Sequence, residues 1–279
     1  MTNEFPCDES SGLPAALIAA LRRAAPNGLV TIAYSGGLDS RFVAFSAKRA
    51  GFKVRLLHVR GPHIAPSETQ EAVDGAHELG LDPEILDIDP LKLPALASAG
   101  RERCYVCKTG LFTELLRIAG GEPLCDGTNH SDLSGYRPGR RALLELGIHS
   151  PLEEAGLGKP DIRAFAARLG MPRPDQAARP CLLTRFPYGA LPSADLLHLT
   201  AEAEDYISAH PAGSRLRFRL RFPDGMKPEL HIDAASADGL SASELARLTA
   251  DLKAAFSPKL DALVLKKLVT LSGFYDRRA

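Results

Sequence analysis

The apolar run Leu29-Val30-Thr31-Ile32-Ala33 passes directly into Tyr34-Ser35-Gly36-Gly37-Leu38-Asp39-Ser40, and a helix-like stretch, residues 41–50, follows at once. A buried strand that turns through glycines into a helix N-terminus belongs in a parallel sheet. It also aims several backbone N–H groups and the positive helix end at one spot. An anion fits there, most often a phosphate. The string GxxxxGK[ST] is absent, so this is not the kinase-type loop. A glycine-rich turn that binds nothing is the bland alternative. Two hydroxyls, two glycines and an acid within one hexapeptide weigh against it.

Around this unit, strand-like and helix-like patterns alternate. Residues 13–24 read as an amphipathic helix ended by Pro26-Asn27-Gly28. Residues 54–59 and 84–88 read as strands. A helix over 67–79 lies between them, with Ser67 as its N-cap and Gly80 closing it. Residues 108–119 read as a helix and 123–127 as a short strand with a turn. Short links between such elements imply an α/β fold, a doubly wound parallel sheet covered on both faces. Ligands in such sheets sit beyond the strand C-termini, where the SGGLDS loop falls. Residues 128–156 are rich in Gly, Arg and polar side chains. A short helix is expected over 160–169 and an ordered proline-rich loop over 171–192. The pattern then changes to a helix (194–209), an alternating basic and apolar strand (215–222), a partner strand (229–232), a helix (241–255) and a strand (262–271). The expected organisation is a leader over 1–12, a large α/β domain over 13–189 and a small C-terminal α+β domain over 190–279.

The chain has 279 residues, with 34 Lys plus Arg against 34 Asp plus Glu. That balance makes no case for nucleic acid as a partner. No apolar run is long enough to span a bilayer, so no membrane partner is expected. The polar, acidic N-terminus is unlike a secretory signal, and the expected location is the cytoplasm.

Five cysteines, Cys7, Cys104, Cys107, Cys125 and Cys181, are an odd count. In a cytoplasmic chain this points to thiols, a metal or chemistry rather than a disulfide scaffold. Cys104-Tyr105-Val106-Cys107 is a CxxC with three readings. It is half of a zinc or cluster site, a redox dithiol, or two small side chains buried at a helix start. Cys181 stands between prolines in Arg179-Pro180-Cys181-Leu182-Leu183-Thr184-Arg185-Phe186-Pro187. The prolines keep this segment out of a helix. Arg179 and Arg185 flank the thiol in sequence. Cations there favour the nucleophilic thiolate or hold a phosphate.

SGGxDS resembles the pyrophosphate loop of the N-type ATP pyrophosphatases. Those enzymes split ATP into AMP and pyrophosphate and adenylate an oxygen of their substrate. Together with RCYVCK at 103–108, DGTN at 126–129, the block 136–163 and PCLLTRFPYG at 180–189, the chain resembles the ATP-dependent sacrificial sulfur transferases. These are the LarE-type family of nickel-pincer cofactor biosynthesis. The resemblance implies an adenine nucleotide alpha hydrolase-like fold. Its substrates are ATP, with Mg²⁺, and a pyridinium mononucleotide whose carboxylate is adenylated. Ser35, Gly36, Gly37, Ser40, Gly127 and Thr128 would hold the nucleotide, and Asp39 would bind the metal or orient the loop. Cys181 would attack the activated carbonyl and give up its sulfur, becoming dehydroalanine. Arg185 would neutralise charge, Thr184 keeps the hydroxyl of the family's serine, and Glu204 matches an Ala-Glu of the C-terminal helix. The resemblance also implies a homo-oligomer, trimeric or hexameric, with the C-terminal domain in subunit contacts and the acceptor site. Several stretches depart: the family's Ala-Asp-Asp after DGTN reads His130-Ser131-Asp132 here, its Lys-Pro-Ala before the cysteine reads Gln176-Ala177-Ala178-Arg179, and its PCLASRIPYG reads PCLLTRFPYG. Its C-terminal Ala-Arg-Ile-Glu and Gly-Tyr-Arg-Ser-Gly read Glu229-Leu230-His231-Ile232-Asp233 and Gly273-Phe274-Tyr275-Asp276-Arg277.

Three other functions use a similar ATP domain or loop. A tRNA thiolation enzyme would need a basic face for phosphate contacts. An amide-forming synthetase of the NAD or GMP synthetase type leaves PCLLTRFPYG unexplained. A non-enzymatic nucleotide-binding module would bind ATP without releasing pyrophosphate.

Overall fold

The structure, a computed structural model, describes residues 5–133 and 137–277. Residues 1–4 of the expected leader and Tyr136, which opens the block 136–163, lie outside the described residues. The chain divides into two compact units. The first comprises Met1–Gly61, Glu68–Leu93 and Cys104–Arg179; the second comprises Pro62–Ser67, Pro94–Arg103 and Pro180–Ala279.

In chain order the first unit contains α1 (Ala15–Ala24), β1 (Leu29–Ala33), α2 (Leu38–Arg49) and β2 (Lys53–Arg60), then most of α3 (Pro66–His77) and β3 (Pro83–Asp87). Next come α4 (Arg103–Ala119), β4 (Leu124–Cys125), α5 (Pro138–Glu145), α6 (Pro151–Glu154) and α7 (Lys159–Arg168). Its four strands lie in the order β3-β2-β1-β4 and every pair is parallel. Neighbouring residues of one strand face opposite sides of a sheet. Leu56 accordingly joins a core with Val30, Ile32, Phe42, Ala76, Leu152 and Ile162. Leu57, the next residue, joins a second core with Phe112, Leu115, Leu124 and Leu143. The first core takes side chains from α1, α2, α3, α6 and α7, and the second from α4 and α5. This is the doubly wound α/β sheet expected from the sequence.

The local starts differ from expectation in informative ways. Helix α2 begins at Leu38, inside the motif, because Arg41 N already donates to Gly37 O at 3.0 Å. Helix α3 begins at Pro66, so Ser67 lies within its first turn and is not its cap. Helix α4 begins at Arg103, which puts the whole CxxC in its first turns. Helices α5 and α6 occupy the stretch 128–156, where no helix was expected. Both start with proline at the first helical position, which suits its fixed φ and missing N–H. Leu143 and Leu152 then anchor them in the two cores.

The second unit carries α8 (Ala194–Ala209), β5 (Phe218–Arg221), β6 (Glu229–Asp233), α9 (Ala234–Ala237), α10 (Ala242–Ala255) and β7 (Val264–Leu268). β5 runs antiparallel to β6, and β7 pairs parallel on its other edge. Ser193 caps α8, and Ser241 with Glu244 forms a capping box on α10. The expected strand over 215–222 is shorter, since Gly213–Arg215 forms a 3₁₀ turn. Its arginines differ in exposure, Arg217 remaining exposed and Arg221 buried. Arg217 pairs with Asp233 at 2.7 Å, and Arg221 is buried against His231 at 2.9 Å.

His58 in β2 is buried, with Nδ1 2.9 Å from the Tyr34 carbonyl and Nε2 3.2 Å from Thr69 Oγ1. Burial pushes its pKa below the ordinary value, and burial does the same to His231. Both rings thus take up protons less readily in the folded chain than in the unfolded chain, where an ordinary histidine does so at about pH 6.5. The stability contributed is therefore full above the unfolded pKa and is lost as pH falls below it, at up to about 1.4 kcal/mol per pH unit for each proton. Urea unfolding between pH 7.5 and pH 5.5 (on the order of the His range) should show this fall, and His58→Gln should flatten it. An equally steep fall in the variant would remove His58 from the account.

Candidate functional site

The strand order β3-β2-β1-β4 reverses its direction of growth between β1 and β4. Ligands of open α/β sheets bind at such a switch point, beyond the strand C-termini. SGGLDS leaves β1 there, and DGTN leaves β4 beside it. Gly36 has φ +75°, and a Cβ on it would stand 2.3 Å from the Cβ of Ala72. Only glycine takes this turn without displacing α3. Gly37 is the N-cap of α2 and offers no side chain to cap it. The first N–H groups of a helix lack intrahelical acceptors, and with the helix dipole they suit an anion. Ser35 Oγ and Ser40 Oγ lie 3.1 Å apart across the loop, and Ser40 Oγ also donates to Gly37 O at 3.1 Å.

The two loops meet through Gly127. A Cβ there would stand 2.8 Å from Ser40 N and 3.2 Å from the Asp39 carbonyl carbon. Backbone thus packs on backbone at the head of α2. Thr128 turns inward: its N–H donates to Asp126 Oδ1 at 3.1 Å and its hydroxyl to Asp126 Oδ2 at 2.5 Å. Ser150 Oγ donates to the same carboxylate at 2.7 Å. DGTN is therefore held as a turn around Asp126.

Asp39, in the first turn of α2, receives Lys159 Nζ at 2.5 Å and Asn129 Nδ2 at 3.3 Å, both on Oδ2. Burial pushes its carboxyl above the usual carboxylate value, and the pairing with Lys159 works against that shift. Oδ1 is buried and meets no hydrogen-bond donor among the described residues. Mg²⁺ is held in phosphate sites by one or two carboxylates together with phosphate oxygens and water. An unclaimed, buried carboxylate oxygen at a phosphate loop fits that ion.

Sequence reasoning gave no role to Lys159, Asn129, Arg41 or Gln176. Lys159 lies in the block 136–163 and Asn129 in DGTN, so their positions were in view without their partner. Arg41 follows SGGLDS and is wholly buried beside Phe42, Val43 and Ala44, a cation in an otherwise apolar stretch. Gln176 Nε2 donates to Gly36 O at 3.1 Å and Gln176 Oε1 accepts from Arg41 Nη1 at 3.1 Å.

The second unit holds the other group. Cys181, half-buried, immediately precedes a 3₁₀ turn, Leu182–Arg185. Thr184 Oγ1 donates to the Cys181 carbonyl at 2.7 Å. Arg185 Nη1 donates to Thr184 Oγ1 at 2.8 Å and to Pro180 O at 2.9 Å. Its Nε and Nη2 bind both oxygens of Glu204, at 2.9 and 2.7 Å. Glu204 Oε1 also accepts from Leu220 N, at 2.8 Å. The structure thus brings Cys181, Thr184, Arg185 and Glu204 together, with the guanidinium turned onto the loop and the carboxylate. Arg103, from RCYVCK, braces the same segment by donating to Pro187 O at 3.0 Å and lying over the Tyr188 ring. Arg179 pairs instead with Glu71, at 2.8 Å, within the first unit. Of the CxxC, Cys104 is exposed and Cys107 buried. Among the described residues no group of three or more His, Cys, Asp or Glu is placed to hold a metal.

A glycine-rich loop at a switch point, with an aspartate beside it that a lysine and an asparagine hold, is the arrangement of a phosphate-binding α/β domain. No protein-family model matches the chain. An uncharacterized protein of Synechocystis sp. is 36% identical over 63% of this chain and 67% of its own length. Another, of Methanocaldococcus jannaschii, is 30% identical over 67% of this chain and 73% of that one. The pyridinium-3,5-bisthiocarboxylic acid mononucleotide synthase of Lactiplantibacillus plantarum is 31% identical over 64% of this chain and 66% of that enzyme. The chain belongs to the LarE-type family of the N-type ATP pyrophosphatase superfamily. No helix among the described residues is long and apolar enough to cross a membrane.

Gly127→Ala should separate the two loops, because its new Cβ meets backbone, which cannot swing aside. Pyrophosphate release from ATP should fall by about a hundredfold, the cost of a misplaced catalytic geometry. Single-turnover release assays on the folded variant measure this, and a wild-type rate would refute the close approach as a requirement.

Proposed function

We propose that the chain is an ATP-dependent sulfur transferase that adenylates a carboxylate of a pyridinium mononucleotide and donates the sulfur of Cys181. The observation that carries this reading is the pair of built features in one LarE-type chain. One is a phosphate loop at the sheet's switch point, and the other is a cysteine on a loop tied down by buried side chains. The likeness to a named thiocarboxylate-forming enzyme supports it.

Each bond change has a chemical reason. A carboxylate is a poor acyl donor, so an oxygen of it attacks the α-phosphorus of ATP, and pyrophosphate leaves. The acyl adenylate now has AMP as a leaving group. The Cys181 thiolate adds to the acyl carbon, AMP departs, and a thioester joins substrate to protein. A base then removes the Cα proton of residue 181. The electron pair forms the Cα–Cβ double bond as the Cβ–S bond breaks onto sulfur. The products are a thiocarboxylate and dehydroalanine, and the chain loses the elements of hydrogen sulfide.

The residues divide this work. The head of α2, with Ser35, Gly36, Gly37 and Ser40, receives the phosphates, and Gly127 and Thr128 shape the neighbouring wall. Asp39, through its unclaimed Oδ1, would hold Mg²⁺, which neutralises polyphosphate charge when bound. Lys159 works against the burial that raises that carboxyl's pKa. Thr184, Arg185 and Glu204 act as positioning residues. Glu204 has both oxygens on a buried guanidinium, so its contribution is to fix the cysteine loop. Removing one member of such a buried pair costs about 3–5 kcal/mol.

Cys181→Ala separates the two halves of the reaction. AMP and pyrophosphate should still form with substrate present, since adenylation does not use the thiol. Thiocarboxylate, followed by its absorbance or by mass, should be undetectable. Sulfur transfer at the wild-type level by this variant would show that the sulfur has another source.

A further inference from the structure

Gln176 reaches across 140 residues of sequence to the phosphate loop. Its two ends are not interchangeable. The Gly36 carbonyl can only accept and the Arg41 guanidinium can only donate. The NH₂ end must therefore face Gly36, and the oxygen must face Arg41. Arg41 is itself fixed. It has no exposed side-chain surface, and its Nη2 donates to Pro172 O at 2.8 Å and lies 3.3 Å from Glu78 Oε2. Gly75 leaves the room it needs, because a Cβ there would stand 3.0 Å from Arg41 Nε.

The consequence falls on one peptide plane. The Gly36 carbonyl and the Gly37 N–H belong to the same peptide, which is trans and planar, so the two groups point in opposite directions. Holding the carbonyl toward Gln176 turns the Gly37 N–H away from it. On that other side the Gly37 N–H donates to Ser35 Oγ in a long hydrogen bond of 3.4 Å. A peptide between two glycines has little steric preference for either orientation, so something outside it must choose. The geometry points to Gln176 as a positioning residue of the phosphate loop: oriented by Arg41, it fixes the 36–37 peptide so that the Gly37 N–H is presented to the polyphosphate of ATP. This rests on the ATP-dependent reading above. The stretch that departs from the family's Lys-Pro-Ala thereby acquires a definite task in this chain.

Gln176→Glu and Gln176→Met test it. Glutamate keeps the length and the acceptor for Arg41 but sets an oxygen against the Gly36 carbonyl, which favours a flipped peptide. Methionine removes both hydrogen bonds and favours neither orientation. Thermal unfolding should leave Gln176→Glu close to the wild type, since its new charge faces a buried guanidinium. Calorimetric binding of Mg²⁺–ATP should nevertheless weaken about tenfold or more, and less in Gln176→Met. The loss should appear as a raised half-saturating ATP concentration in single-turnover pyrophosphate release. Wild-type affinity in Gln176→Glu overturns the proposal, as do losses in the two variants that simply follow their losses of thermal stability. Wild-type protein that binds no Mg²⁺–ATP overturns the ATP-dependent reading itself, an outcome recorded before any variant is compared.

Discussion

The backbone contact between the two loops at the switch point is the constraint on which the first unit depends. Gly127 lies where any Cβ would touch Ser40 N, so β4 delivers its loop directly onto the head of α2. That contact requires a glycine on one side and a helix N-terminus on the other. It also requires β1 and β4 to be parallel neighbours, as their pairing through Thr31 and Ile32 makes them. Asn129, from the same loop as Gly127, and Lys159, from the start of α7, can then meet Asp39. The helix head keeps its N–H groups for a ligand because no side chain caps it.

A different principle organises the cysteine loop. Proline and a short 3₁₀ turn keep Cys181 out of regular structure. Its order comes from side chains that bind loop carbonyls. Arg185 holds Pro180 O, Arg103 holds Pro187 O, and the Tyr275 hydroxyl donates to Arg185 O at 2.9 Å. Each donor is buried or half-buried, so its hydrogen bonds face less competition from water. A nucleophile that must meet one acyl carbon benefits from a backbone with few alternative conformations.

The parts of this account legible in the sequence are the local ones. β1, the SGGLDS turn and α2 announce themselves within about twenty consecutive residues, because periodicity and glycine placement are local signals. α8 and α10 are equally clear, each opened by a serine cap. Helices α5 and α6 were illegible because Gly, Arg and proline obscure their periodicity. Tertiary anchoring of Leu143 and Leu152 supplies what propensity lacks. At the site, the glycines, serines and Asp39 were visible as a motif, but their partners were not. Lys159 lies 120 residues from Asp39, and no spacing rule connects them. Arg185 looked available to a substrate in sequence; only the fold reveals Glu204 across from it.

Intact-protein mass spectrometry tests the central claim, that the chain supplies the sulfur itself. The wild-type protein would be weighed before and after incubation with ATP, Mg²⁺ and a pyridinium dicarboxylate mononucleotide. The account predicts that each chain which turns over loses the mass of hydrogen sulfide, with the change mapping to dehydroalanine at residue 181. Thiocarboxylate accumulating while the chain keeps its full mass would contradict it.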